Sequence, residues 1–116
     1  MLARVLSCAV IGLDGDLVEV EVDIGRAMEP RMTVVGLPDA AVQESRERVR
    51  AALKNSRFSM PHPSRVTISL SPADLRKEGP AYDLPIAVGM LMAGGHLPEK
   101  IEDTVLVGEL ALSGEL

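Results

Sequence analysis

The chain has 116 residues, 47% of them apolar, with one Cys, two His, no Trp, one Tyr, one Phe and a formal net charge of −5. That is one domain's length and a globular composition; with only Phe58 and Tyr82 as aromatics, a base-stacking surface is close to excluded, and the negative balance argues against a basic nucleic-acid module acting alone. A lone Cys forms neither an intramolecular disulfide nor a Cys-based zinc site, which points to a reducing, intracellular setting.

The opening apolar stretch, Val5 to Leu13, is too short to span a bilayer and lacks the flanks of a signal sequence. It predicts a buried first strand over Ala3 to Ile11, with Gly12, Asp14, Gly15 and Asp16 supplying hairpin-turn chemistry. Val18, Val20, Val22 and Ile24 then alternate with Glu19, Glu21 and Asp23, so at period two one face is β-branched and the other carries three carboxylates. Met32 to Val35 predicts a third strand, ending at Gly36.

Pro38 is placed to open a helix at its first turn, beside Asp39 at the positive end of the dipole. That helix should run to about Ser56, with Val42, Val49, Ala52 and Leu53 inward and Glu44 paired to Arg48. Pro61 and Pro63 bar its continuation, and Arg65 to Leu70 predicts a fourth strand with Val66, Ile68 and Leu70 inward. After a polar loop, Asp83 is placed as N-cap of a second helix that is apolar nearly all round from Leu84 to Met92 and stops at Gly94 and Gly95. Thr104 to Val107 predicts a fifth strand. The order βββαβαβ gives an α+β sandwich with a mixed sheet and helices on one face. The end at Glu115 and Leu116, directly after a strand pattern, predicts a domain cut short.

Few residues offer chemistry. Glu19, Glu21 and Asp23 are oxygen ligands of the kind a divalent ion takes, but side chains two apart on a strand splay, and a solvated face paired with basic neighbours is the simpler expectation. Gly79-Pro80 lacks the Gly-x4-Gly-Lys-Ser/Thr pattern that cradles phosphates. His62 and His96 stand beside Pro or Gly in loops and Cys8 lies in an apolar strand, whereas a Cys/His pair needs both partners and an orienting group; Ser69 and Ser71 have no neighbouring base. No catalytic, cofactor or metal residue is assigned. The first helix carries Arg46, Arg48, Arg50, Lys54 and Arg57 against Glu44 and Glu47, a local +3 in an acidic chain. With Arg76 and Lys77 of the following loop these are the candidate contacts to DNA or to an acidic partner surface, the alternative being an ordinary solvated face. For the loop the equally open alternative is structural: Asp74 or Asp83 capping, and Arg76 paired to a carboxylate.

Two stretches, Val35-Gly36-Leu37-Pro38-Asp39 running on to Leu53, and Ser71-Pro72-Ala73-Asp74-Leu75-Arg76-Lys77-Glu78-Gly79-Pro80-Ala81-Tyr82-Asp83 running on to Ala87, resemble the N-terminal domain of the Mg-chelatase-like AAA+ ATPases, the competence protein ComM/YifB family. Gly12-Leu13, Val20 to Ile24 and the closing Gly108-Glu109-Leu110 fit the same pattern, with Ser69 and Ser71 as local departures from an Asn and an Ala. The resemblance implies a ribosomal protein S5 domain 2-like fold, similar to the proteolytic domain of Lon, with residues 1–116 as a single, incomplete N-terminal domain. In the Lon-like comparison Glu78-Gly79-Pro80-Ala81 puts Ala81 where the nucleophilic serine stands, and an alanine cannot attack a carbonyl.

The resemblance further implies a cytoplasmic parent protein whose ATPase domain lies downstream. That domain would bind ATP and Mg²⁺, assemble with neighbouring subunits as a ring, a hexamer, and drive DNA branch migration in natural transformation. This chain would hold no cofactor and touch no membrane; it would meet the ATPase domain of its own chain, adjoining subunits or DNA. A degenerate Lon-like hydrolase and Mg-chelatase-type metal handling are the alternatives.

Overall fold

The computed structural model describes residues 2–11, 14–58, 64–98 and 104–116. Strands β1 (Leu2–Ile11), β2 (Asp14–Arg26) and β3 (Arg31–Val35) precede helix α1 (Ala40–Asn55); β4 (Ser64–Ser71) and a 3-10 turn (Pro80–Tyr82) lead to helix α2 (Asp83–Ala93). The sheet order is β1-β2-β4-β3, with β1 and β4 antiparallel to β2 and β3 parallel to β4. Parallel neighbours need a crossover, and α1 supplies it.

The alternation read in the sequence sets the register. Val20 stands opposite Val5 on one side and Leu70 on the other, and Val22 opposite Ile68. Val18, Val20, Val22 and Ile24 are all buried with these partners, and burying such a side chain contributes about 1.5–3 kcal/mol relative to exposure. The opposite face is open. There Arg4 on β1 reaches Glu19 at 2.5 Å and Glu21 at 3.5 Å, so the carboxylate stripe is a solvated face paired with a basic neighbour. A one-residue slip would exchange these two faces.

α2 lies on β1 and β2, and α1 packs beside α2 and β3. Val42, Val49, Ala52 and Leu53 of α1 and Ile86, Ala87, Met90 and Met92 of α2 close the core, together with Tyr82 and Leu110. α2 approaches β2 so closely at Gly89 that a β-carbon there would fall 2.6 Å from a Val22 methyl. The result is an α+β domain with a mixed four-stranded sheet and both helices on one face. Among the described residues no helix is long and apolar enough to cross a membrane.

Four expectations are corrected. Asp14, Gly15 and Asp16, expected in the hairpin turn, belong to β2 and pair with Ile11, Val10 and Ala9; Gly12 and Leu13 lie outside the described residues, as do His62, Pro61 and Pro63. Pro38 precedes α1 rather than entering it, and Asp39 is the N-cap, accepting from the Val42 amide at 2.8 Å. Asp83 does not cap α2 but is its first residue, with Tyr82 at the cap position and no side-chain cap bond. The segment at Thr104 to Val107 makes one parallel bridge, Leu6 to Val105, in place of a fifth strand. A single rung fixes its direction without the alternating pairs that define a strand.

The turn after β3 depends on Gly36, whose φ is +107°, and a β-carbon there would run into the Leu70 carbonyl. Gly36→Ala is therefore expected to lower the unfolding free energy by about 3 kcal/mol, from backbone strain plus a clash with β4. Gly25→Ala, which meets nothing within 4 Å, should change it by less than about 0.5 kcal/mol. Urea titration of both variants distinguishes local strain from a general intolerance of substitution, which would lower the two alike.

Candidate functional site

The loops that follow β3 and β4 carry the two long sequence stretches, and they run side by side. The Asp39 amide donates to the Lys77 carbonyl and the Lys77 amide to the Leu37 carbonyl, both at 3.0 Å. The Asp39 carboxylate bridges further: one oxygen caps α1 and the other accepts from the Gly79 amide at 3.1 Å. Lys77 is fully buried, and its ammonium donates to the Pro72 carbonyl. Burial pushes the Lys77 pKa down, with the Asp74 carboxylate working against it.

A second brace centres on Asp83, whose carboxylate is inaccessible to solvent. One oxygen accepts from the Ser45 hydroxyl at 2.5 Å and from Arg48 Nη2 at 3.0 Å. The other accepts from Arg48 Nε at 2.6 Å and from the Leu110 amide at 3.1 Å. Arg48 also donates to the Ala41 carbonyl at 2.8 Å and lies 3.5 Å from Glu44. Its pKa is raised, chiefly by the hydrogen bonds to Asp83, against the opposing effect of burial. The brace thus joins α1, the start of α2 and Gly108-Glu109-Leu110, where Gly108 also exchanges hydrogen bonds with Ala81 and Leu84.

Among the candidate contact residues, Arg48 and Lys77 are therefore turned inward and held by these bonds. Arg46 donates to the Gln43 carbonyl and to the Met32 carbonyl of β3. Arg76 is exposed, 3.4 Å from Glu78, the carboxylate pairing named as its structural alternative. Arg50 is exposed, 3.5 Å from Glu47, and Lys54 and Arg57 are exposed at the end of α1. Ser45 and Asp39 did not figure among the candidates, although both lie within the first of the two stretches. The usable signal was a small hydroxyl one turn before an arginine on the inward side of a charged helix.

Arg50 and Lys54 border a groove of about 550 Å³ between the C-terminal half of α1 and the starts of β3 and β4. Its floor is apolar, made by Met32, Leu53, Val66 and Met90 with Phe58 at one side. Arg31 completes a rim of three cations. Among the described residues, neither Arg31 nor Lys54 has an ion pair. Phe58 stands edge-on to His96, ring centroids 5.4 Å apart.

Two outcomes test the braces. Asp83→Ala leaves the partly exposed Arg48 guanidinium and the buried Leu110 amide without their acceptor, and should cost about 3 kcal/mol; adding Arg48→Met should cost much less than the sum of the single changes, and an additive double mutant would show that the pair does not act as a unit. The folded state binds the Lys77 proton less tightly than the unfolded chain does, so stability is lowered while Lys77 is charged in both states. That penalty is relieved as pH rises from the depressed folded value toward the ordinary lysine value of about 10.4. The stability of the wild type relative to Lys77→Met should accordingly increase with pH over this window, as followed by chemical denaturation; a flat difference would contradict it.

With this geometry in place, a family model for subunit ChlI of Mg-chelatase matches residues 18–116. The chain is similar to an uncharacterized protein of Mycobacterium tuberculosis strain H37Rv, with 50% identity over 116 residues. It is also similar to YifB of Escherichia coli K12, 47% identical over 109 residues, and to the competence protein ComM of Haemophilus influenzae, 45% identical over 116 residues. These matches take in 99%, 93% and 99% of this chain but only 23%, 21% and 22% of the three relatives. The chain spans less than a quarter of their length.

Proposed function

The chain belongs to the family of the Mg-chelatase subunit ChlI, and we propose that it is the non-catalytic N-terminal domain of a larger, ComM-like AAA+ ATPase. In this reading the parent is a cytoplasmic protein that binds ATP and Mg²⁺ through a downstream domain, assembles as a hexameric ring and drives branch migration of DNA during natural transformation and recombination. The present domain has the ribosomal protein S5 domain 2-like, Lon-like arrangement and makes contacts inside that assembly, with the ATPase part of its own chain, a neighbouring subunit or DNA.

The observation that carries the non-catalytic role is the destination of the polar residues in the two stretches. Asp39, Ser45, Arg48, Lys77 and Asp83 bind one another or the backbone across loops and helices, and Ala81 offers only a methyl group where the Lon-like resemblance places a serine. Groups so engaged hold shape: the hydroxyl that does meet a carboxylate, Ser45 on Asp83, is enclosed with it away from any substrate. Kinship with a Mg-chelatase subunit supports the ATPase module rather than metal handling here, since the carboxylates of β2 face Arg4 on an open sheet.

The intact protein should hydrolyse ATP with Mg²⁺, displace a strand from a forked duplex and show no turnover of casein. Removing residues 1–116 should leave ATP hydrolysis in place and abolish strand displacement. Casein turnover, or an intact protein that neither hydrolyses ATP nor moves DNA, would sink this reading. Anisotropy titration with forked and single-stranded DNA then compares wild type with Arg46→Glu/Arg50→Glu: weaker binding puts α1 on the DNA path, and equal binding assigns its contacts to protein.

A further inference from the structure

We propose that the groove between α1 and β3 is a docking site for an acidic protein segment that inserts an apolar side chain and sets carboxylates on the cationic rim. Such a partner is one of the assembly contacts proposed above, on which this assignment rests.

Complementarity of charge and shape argues for it. The floor residues Met32, Leu53, Val66 and Met90 are each less than one-tenth exposed, yet they border about 550 Å³ of open space. An apolar recess beside exposed charge is the recurrent form of a peptide anchor site. The rim is one-signed. Arg31 and Lys54 lack ion-pair partners among the described residues, in a chain whose net charge is −5. Arg50 keeps only a long contact with Glu47 on its own exposed helix face, and such a pair is easily exchanged for another carboxylate.

The same features disfavour a nucleic-acid strand. Phosphates would find the rim cations, but bases need flat aromatic faces, and the groove supplies one ring, Phe58, which is 39% exposed and already meets His96 edge-on. An aliphatic floor matches a Leu or Phe side chain instead. The Met32 carbonyl on β3 is taken by Arg46, so a partner adding as a strand would have to displace that bond, whereas entry into the recess requires no such exchange.

The test uses the intact protein without nucleotide or DNA, a fluorescein-labelled Glu-Glu-Leu-Phe-Glu-Glu peptide, and anisotropy as the readout. Binding should be saturable and should weaken with salt. Arg31→Gln/Lys54→Gln should reduce it by about tenfold, and Phe58→Ser, a half-exposed position, should reduce it with the fold retained by circular dichroism. Hydrogen exchange should slow on peptide addition in residues 31–35 and 50–58. Equal binding of Glu-Glu-Ser-Ser-Glu-Glu or of Lys-Lys-Leu-Phe-Lys-Lys, no binding at all, or protection confined to other segments overturns the proposal. Tighter binding of a single-stranded thymidine oligonucleotide, lost in the Arg31→Gln/Lys54→Gln variant, also overturns it and gives the groove to nucleic acid. ATP hydrolysis and strand displacement are measured separately, so failure here leaves the ATPase reading standing.

Discussion

The buried carboxylate of Asp83 is the constraint around which the helical layer is arranged. A charge removed from water must be paired and fully hydrogen-bonded or it destabilises the fold, and Asp83, at the start of α2, meets that demand with groups from two other parts of the chain: Ser45 and Arg48 on α1, and the Leu110 amide. Those bonds fix the rotation of α1 about its axis. They also decide which of its basic residues can reach solvent: with Arg48 drawn inward, Arg50 and Lys54 fall on the groove side.

Asp39 does for the loops what Asp83 does for the helices. Its two oxygens satisfy an orphan amide of the first turn of α1 and the Gly79 amide forty residues later. Capping bonds of this kind are worth about 1 kcal/mol, and here the same side chain also ties the crossover loop to the loop before α2. The two long stretches that suggested a family from sequence are thus one body in space. Their polar residues are explained by the need to stay together, a duty that Arg50 and Lys54 on the exposed side of α1 do not share.

The sheet was legible because its signal is a period. Valine alternating with glutamate along residues 18–24 admits one inward face, and the register with β1 and β4 follows from it. The span of α1 was likewise legible, from Pro38 and Asp39 at one end and from the prolines that bar continuation at the other, although Asp39 caps the helix and Pro38 stays outside it. The polar braces were not legible as such: an arginine between glutamates on a helix reads as solvated, and nothing local to Arg48 or Lys77 announces that an aspartate or a carbonyl from a distant segment will receive it. For the same reason Asp83 reads as a cap beside Leu84 and Pro85, while its actual partners lie on α1 and at Leu110. The expected strand at Thr104 to Val107 has the right residues for one, but only a single rung meets β1; propensity proposes a strand and pairing decides it.

The bond from Arg46 to the Met32 carbonyl has a bearing on solubility as well as on shape. β3 is the outer strand of the sheet at this end, and an outer strand with free backbone groups is a template on which a second copy can add itself. A guanidinium fixed across that strand removes one acceptor and plants a positive charge in the path of an approaching β-ribbon. A second copy pairing at Met32 would first have to break that bond, which makes this edge a poorer template for a growing sheet.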